Sequence, residues 1–423
     1  MKERLAIVGT GIAGLASAHF LQKEYDISCF EKEDYIGGHS NTVDIEEDGI
    51  NIPVDTGFIV YNEVTYPGLT ALFRDLGVET KNSSMSFSVQ HLQSNIEFCG
   101  SGLNGLFAQR KNLLNPRFWR LLFNINQFNK KAPSFLQEES SYNISIKEYI
   151  QREDYHPDLL EYYLIPMSSA VWSTPKELIY EFPAFTLIRF FYNHGFLGLN
   201  TQHQWKTVTG GSREYVKKLI HPFKEKIFCN KAVQEVVKTE HNVTLLFADG
   251  KQETFDKVIL ACHANTALKL LKNPSLLQRE ILSNFAYEKN IATLHTDESL
   301  MPKTRLTWSS WNYRVGEKGK AGKWDSSIVY WMNSLQGVSK KKNYFVSIND
   351  PGNIPDSKII RQIEYYHPLF NGKALNAQAT LPNLNQEDQI YFCGSYFRYG
   401  FHEDALQSAI QLSKTLLGRG AWT

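Results

Sequence analysis

The run RYGFHEDAL, residues 398–406, sets an imidazole, His402, directly before two carboxylates, Glu403 and Asp404, shortly after a glycine turn at Gly394. Histidine exchanges protons near neutral pH, so His402 is a candidate proton acceptor; the other reading is an imidazole that only positions a neighbouring group by hydrogen bonding. A second constellation stands at the far end of the chain. Gly9, Gly11 and Gly14 form GxGxxG between an apolar run at 5–8 and a helical pattern. The first glycine allows a tight turn, the second lets main chain approach a pyrophosphate, and the third lets helix pack on strand. Free N–H groups at Ile12 and Ala13 then stand at the helix start, where the dipole favours phosphate charge. Glu31, followed by Lys32, ends a second short apolar run about twenty residues after the turn, where a carboxylate accepts ribose hydroxyls. These spacings indicate a dinucleotide site without choosing between nicotinamide and flavin.

The next loop bears on that choice. Gly37 and Gly38, then His39, Ser40 and Asn41, make a second flexible, donor-rich loop of the kind a long flavin dinucleotide uses. Further along, a glycine pair, Gly210 and Gly211, precedes a helical pattern, and alternating apolar residues with an Asp249-Gly250 turn predict a small β-meander followed by a buried strand at 257–261. The segment QIYFCG predicts one more strand, with the turn at Gly394 and a helix over 404–416 in which Glu403 and Asp404 complement the dipole. The expected architecture is α/β: a discontinuous Rossmann-like dinucleotide-binding unit over residues 1–75, 205–285 and 385–423, with an α+β substrate unit over 76–204 and 286–384.

Composition narrows the partners. At 423 residues the chain is too long for one ordinary core, and a net charge of +1 argues against general nucleic-acid binding. Five scattered cysteines without CxxC make a disulfide framework or a metal site unexpected and suit a reducing cytoplasm. MKERLAIVG moves straight into a strand, so no signal peptide is expected, and no stretch reaches the ~20 apolar residues of a spanning helix. The longest candidate, FPAFTLIRFFYNHGFLGL, is broken by Arg189, Asn193 and His194.

With these residues in view, the chain resembles the flavin-dependent amine-oxidoreductase superfamily, of the glutathione-reductase and amine-oxidase type. More narrowly, GGHSNTVDI, VDTGFIVYNEVTYPGL, SLMPKTRLTWSSWNY and RYGFHEDAL are similar to a bacterial subgroup that includes an acyl desaturase of furan-fatty-acid synthesis. The resemblance implies FAD as cofactor. It places Asp55, Thr56 and Gly57 in a turn beside the flavin, with an ordinary glycine-bearing turn as the alternative, and Val233 against the adenine, although ordinary strand packing explains Val233 equally. It also places Gly394, His402, Glu403 and Ala405 at the flavin end. The family's aspartate after that glycine is Ser395 here, which removes one expected contact to the ribityl-phosphate chain. Lys289 loosely matches the lysine that amine oxidases hold near the flavin.

Two regions point to the substrate. No acidic residue occurs from Phe98 to Gln137, whereas Arg110, Lys111, Arg117, Arg120, Lys130 and Lys131 do. Phe118, Leu121, Leu122, Ile125 and Phe128 follow helical spacing there, as in a basic amphipathic helix resting on anionic lipid or a packed helix with a solvated basic edge. Farther on, Trp308, Trp311 and Tyr313, with Tyr399 near the C-terminus, are candidates for an apolar substrate wall. Trp308 and Trp311, three apart, would face opposite sides of a strand. The leading expectation is an FAD oxidoreductase that removes hydride from a fatty-acyl or phospholipid substrate, in the cytoplasm and peripherally on an anionic membrane. The alternatives are a polyamine or amino-acid oxidase, and a flavin-holding lipid-binding protein without turnover.

Overall fold

The computed structural model describes residues 1–138, 144–198, 201–316, 326–386 and 389–422. The remaining residues of the expected units, 139–143, 199–200, 317–325, 387–388 and 423, lie outside the described residues.

A five-stranded parallel sheet is ordered Ile227–Phe228, Asp26–Phe30, Arg4–Val8, Lys257–Leu260, Ile390–Phe392. After Arg4 its central strand is apolar, Leu5 to Val8, because both faces are covered. Leu5 and Ile7 point into the main core, where the helices Ile12–Leu21 and His402–Leu417 pack against one another. Ala6 and Val8 point the other way, into a second core shared with Val236, Val243 and Leu245 of the antiparallel meander Val233–Lys238, Val243–Phe247, Gln252–Phe255. The C-terminal helix starts two residues earlier than its sequence pattern indicated, at His402.

A seven-stranded mixed sheet is ordered Ile359–Leu369, Ala286–His295, Phe345–Ile348, Ser327–Trp331, Trp311–Val315, Phe87–His91, Ile96–Cys99. The two sheets draw on separate stretches of chain. The remaining strands form the hairpin Thr42–Glu47 and Ile50–Asp55 and a small sheet of Tyr61–Asn62, Trp205–Val208 and Thr80–Ser83.

The basic segment forms the helix Pro116–Phe135, opened by Pro116 at its first position and by Asn115, whose side chain accepts from Arg117 N and Phe118 N. The apolar stripe predicted for it is real but inward. Phe118, Leu121 and Phe128 are buried in the main core, with Leu122 and Ile125 packed against it. That stripe is therefore not the face open to another surface. No helix among the described residues is long and apolar enough to cross a membrane.

Candidate functional site

The first glycine turn and the second glycine loop meet. Gly9 has φ +103, and a Cβ there would lie 2.9 Å from the Ala261 carbonyl oxygen; a Cβ at Gly14 would lie 2.0 Å from the Gly9 oxygen. Neither position admits a side chain, which is why strand, turn and helix sit so close. Gly37 N donates to Thr10 O at 3.1 Å. Glu31 faces the same turn, its Oε2 accepting from Thr10 N at 3.0 Å and Thr10 Oγ1 at 2.6 Å, and its Oε1 from Glu33 N. Lys32 points to solvent and pairs with Glu33.

The helix Ile12–Leu21 begins with no capping side chain and no acid in its first turn, so the N–H groups of Ile12 and Ala13 stand without a side-chain acceptor. A methyl group in place of the Gly11 hydrogen would touch nothing within 4 Å. The buried Nε2 of His39 has no hydrogen-bond partner. Open space, uncapped donors and an unpartnered imidazole at one helix start fit the diphosphate of FAD, with the Glu31 carboxylate placed at a strand end for ribose hydroxyls.

The DTG turn closes on this loop, but the Asp55 side chain turns inward. Its carboxylate accepts from Ser212 N and Oγ, Thr42 Oγ1 and Gln336 Nε2, tying the hairpin to the helix Arg213–Ile220 and to Gln336. Burial pushes its pKa up to about 6 against those bonds. Thr56 Oγ1 lies 2.8 Å from the Tyr365 hydroxyl, and a Cβ at Gly57 would meet the His39 oxygen at 2.3 Å. The His39 ring stacks on Tyr365 at 4.8 Å and lies 5.3 Å from His367, whose Nδ1 accepts from Asn290 Nδ2.

His402 closes the same group. Its Nε2 is 2.6 Å from the Tyr215 hydroxyl and 3.3 Å from Ser40 Oγ, and its ring stacks on Phe58 at 3.9 Å. The two hydroxyls are 2.5 Å apart. Burial, with a smaller push from His39, lowers the His402 pKa to about 3, so the ring is neutral near pH 7. Burial also drives the Tyr215 phenol far above its ordinary value, keeping its proton available to donate.

Around this centre the other predicted residues fall differently. Gly394 N donates to Ser408 Oγ, and the Ser395 carbonyl accepts from Arg398 N and Gly400 N, shaping the turn before His402. Ala405 is buried in the first helical turn. The Glu403 carboxylate, expected at the cofactor, is instead committed to Gly68 N and Leu69 N at the start of the helix Pro67–Asp75, and to Gln407. Val233 opens the meander opposite Phe247 in ordinary strand packing. Lys289 is paired with Glu364 and its side chain is half exposed, so the loose match to a buried flavin-side lysine fails.

Of the aromatic wall, Trp311 and Tyr313 lie in the strand Trp311–Val315, Trp311 against Tyr330 and Tyr313 buried in the main core. Trp308 is a correction. It stands outside the strand, donates Nε1 to Pro302 O, and packs with Trp331 and Phe345 in a small separate core. Tyr399 is half-buried in the turn before His402. A different aromatic group abuts the site: Trp172, Phe190 and His194 surround Phe401, the residue just before His402. Tyr215, Phe58, Tyr365 and His367 were missed in the sequence; Tyr215 carried a signal in its place just after the second glycine pair, and Phe58 in its place directly after the DTG turn.

The model of the family "Flavin containing amine oxidoreductase" matches residues 12–352. A search of curated proteins finds no match. Among solved structures, putrescine oxidase bound to putrescine superposes with a TM-score of 0.69 at 14% identity, covering 99% of this chain and 100% of that one. A fatty acid isomerase from P. acnes that produces CLA has a TM-score of 0.68 at 13% identity, with 98% of each chain covered. Cyclohexylamine oxidase from Brevibacterium oxydans has a TM-score of 0.67 at 14% identity, covering 99% of this chain and 100% of that one. At such identities the likeness speaks for the fold, an α/β FAD-binding unit with a substrate unit, while the family match covers most of the chain. The chain belongs to the flavin containing amine oxidoreductase family and is an FAD-dependent oxidoreductase.

Proposed function

We propose that this oxidoreductase removes a hydride and a proton from an apolar, fatty-acyl substrate, a methylated unsaturated chain either free or in a phospholipid, as in the acyl desaturase subgroup its motifs resemble. One observation carries the reading. Every carboxylate next to His402 among the described residues is already spent on the protein: Asp55 on Ser212, Thr42 and Gln336, Glu403 on Gly68 and Leu69, and Asp404 on Phe401 N. A cationic amine brought there would meet aromatic rings and neutral imidazoles, with no free anion to replace its hydration. An acyl chain loses nothing in such surroundings. That a protein of the same fold is a fatty acid isomerase lends support.

When bound, FAD supplies the two-electron acceptor. We assign its binding to Gly9, Gly11, Ile12, Ala13, Gly14 and Glu31, to the loop Gly37, Gly38, His39 and Ser40, and to the turn at Thr56 and Gly57, within the discontinuous unit set out above. His402 is a positioning residue: burial keeps its ring neutral and its acceptor nitrogen is taken by Tyr215, so the proton that leaves with the hydride is released to solvent. With the Tyr215 hydroxyl donating to its Nε2, the ring proton sits on Nδ1, and Tyr215 and Ser40 hold the imidazole flat against Phe58. Phe401, Trp172 and Phe190 exclude water from one side.

A second reading, oxidation of an amine, is favoured by the family match and by putrescine oxidase having this fold. Anaerobic mixing of the FAD-loaded protein with methylated unsaturated phospholipids, and separately with an amine panel, decides between them. Bleaching of the visible flavin band by lipid alone is expected. Bleaching by amines alone sinks the acyl reading.

A further inference from the structure

Six of the sixteen large apolar side chains exposed among the described residues gather on one surface, although they come from four short stretches of chain. Leu103 is 75% exposed, Leu114 90%, Trp119 49%, Phe123 65% and Leu306 60%, with Leu113 beside them. They sit on the helix Gly102–Leu106, the turn Arg110–Leu114, the first turns of the helix Pro116–Phe135, and the turn Arg305–Thr307. These elements are packed together. Trp119 Nε1 donates to Leu113 O at 2.9 Å, the Trp119 ring lies 5.1 Å from Phe107, and Cys99 Sγ reaches Leu306 O. The patch is thus held rigidly, with its apolar tips outward.

Its charge is one-sided. Arg110 and Lys111 spend their donors on main-chain and amide oxygens rather than carboxylates: Arg110 on Phe107 O and Asn104 Oδ1, Lys111 on Asn95 O. Arg120, Lys303 and Arg305 are exposed nearby. The acids close to them are few. Asp158 is taken bidentately by Arg117 and approached by Arg120, Glu97 is buried under the main-chain N–H groups of Lys303 and Thr304, and Glu298 faces Arg305 at 3.6 Å.

We propose that this surface docks the protein on an anionic phospholipid bilayer. Leucine and phenylalanine tips with a tryptophan at their edge, ringed by cations of which Arg110 and Lys111 meet only main-chain and amide oxygens, match the chemistry of the headgroup boundary, where apolar side chains enter the acyl region and Lys and Arg meet phosphate. A second copy of this chain fits poorly. A two-fold contact would bring the same cationic rim of both copies together, and like charges across a dry contact oppose association. The inference goes beyond the proposed reaction and stands whether the oxidised group is acyl or amine. It also differs from docking by the predicted helical stripe, because Phe118, Leu121 and Phe128 are covered by the core while Trp119 and Phe123 point out.

The test is co-sedimentation of the FAD-loaded protein with phosphatidylcholine vesicles, with and without about one third phosphatidylglycerol, at low and high salt. Expected are binding that requires the anionic lipid and weakens at high salt, at least a tenfold weaker affinity in Leu114→Ser with Phe123→Ser, and a smaller loss in Arg110→Gln with Lys111→Gln. Leu276→Ser, at an exposed leucine elsewhere, should bind as the unaltered protein does, with the flavin spectrum reporting that every variant is folded. Binding unchanged in the Leu114 and Phe123 variant, or no binding to anionic vesicles, overturns the proposal. So does a dimer in sedimentation velocity that the same variant abolishes, since the patch would then join two chains.

Discussion

Two helices, Ile12–Leu21 and His402–Leu417, pack against one another, and their starts are built in opposite ways. Ile12–Leu21 opens on bare glycine, with no capping side chain and no acid in its first turn. His402–Leu417 opens with Glu403 and Asp404 in its first turn, Asp404 accepting from Phe401 N at 2.9 Å and Glu403 turned to cap the neighbouring helix Pro67–Asp75. Each helix start carries about half a positive charge. At Gly11 that charge is left for an anion from outside the chain. At His402 the protein has already filled that place with its own carboxyl groups, leaving room only for a neutral ring or an apolar group. On the proposed function, the contrast separates the place of the diphosphate from that of the redox end.

The largest effect is expected from making the two starts alike. In Gly14→Ala the new Cβ would lie 2.0 Å from the Gly9 oxygen, an approach that neither strand nor helix can relieve. FAD should be lost and the fold weakened together, seen as a colourless protein with a lower melting temperature. Gly11→Ala is the informative partner, because its Cβ meets nothing of the protein within 4 Å and its φ of −66° suits alanine. The apo protein should melt as before while FAD binds at least tenfold more weakly, measured by fluorescence titration. Equal affinity in Gly11→Ala would mean that the open space beside Gly11 is not where the diphosphate lies.

What the sequence could show of these places follows from distance along the chain. The first helix start was legible because turn, helix and Glu31 lie within about thirty residues and each glycine has a local steric reason. The donor loop at Gly37 was legible as a loop, and the structure adds that it hydrogen-bonds to the first turn at Thr10. The second start was only half legible. His402 and its acids stood out, but Tyr215 is 187 residues away and the Gly68 and Leu69 N–H groups that claim Glu403 are more than 330 away. Periodicity failed in another way for Pro116–Phe135. It located a true apolar stripe, but both faces of that helix carry large apolar side chains, and spacing alone does not say which is covered. Trp308 was misplaced because a strand was assumed to reach it, whereas the chain turns at Arg305–Thr307 and the strand begins at Trp311.

A smaller effect should separate capping from ligand binding. Glu403→Ala leaves two main-chain donors of the helix Pro67–Asp75 without their charged acceptor, at a cost of about 2 kcal/mol. Asp404→Ala removes one cap, at about 1 kcal/mol. Both should lower the melting temperature while FAD affinity stays within about threefold of the original, opposite to the pattern expected of Gly11→Ala. A tenfold loss of FAD in either would show that the acids of the second start touch the cofactor after all.

The smallest effect is in pH. Burial pulls His402 and His367 down to about 3 and His39 to about 4, from an ordinary 6.5, so the unfolded chain binds more protons than the folded one between those values. Their contribution to stability is complete above pH 6.5 and is lost as pH falls through 6.5 toward about 3. Asp404 opposes them, as does Asp55, which burial raises to about 6. Burial raises the Asp404 carboxyl to about 7 from 3.8, so its contribution is present at low pH and is lost as pH rises through that range. The apo protein should therefore melt at lower temperature as pH drops from 7 to 5, and Asp404→Asn, which removes one opposing carboxyl, should make that fall steeper. If the slope is unchanged in Asp404→Asn, the carboxyl is ionised in the fold at neutral pH, and the second helix start holds its negative charge as a permanent part of the site.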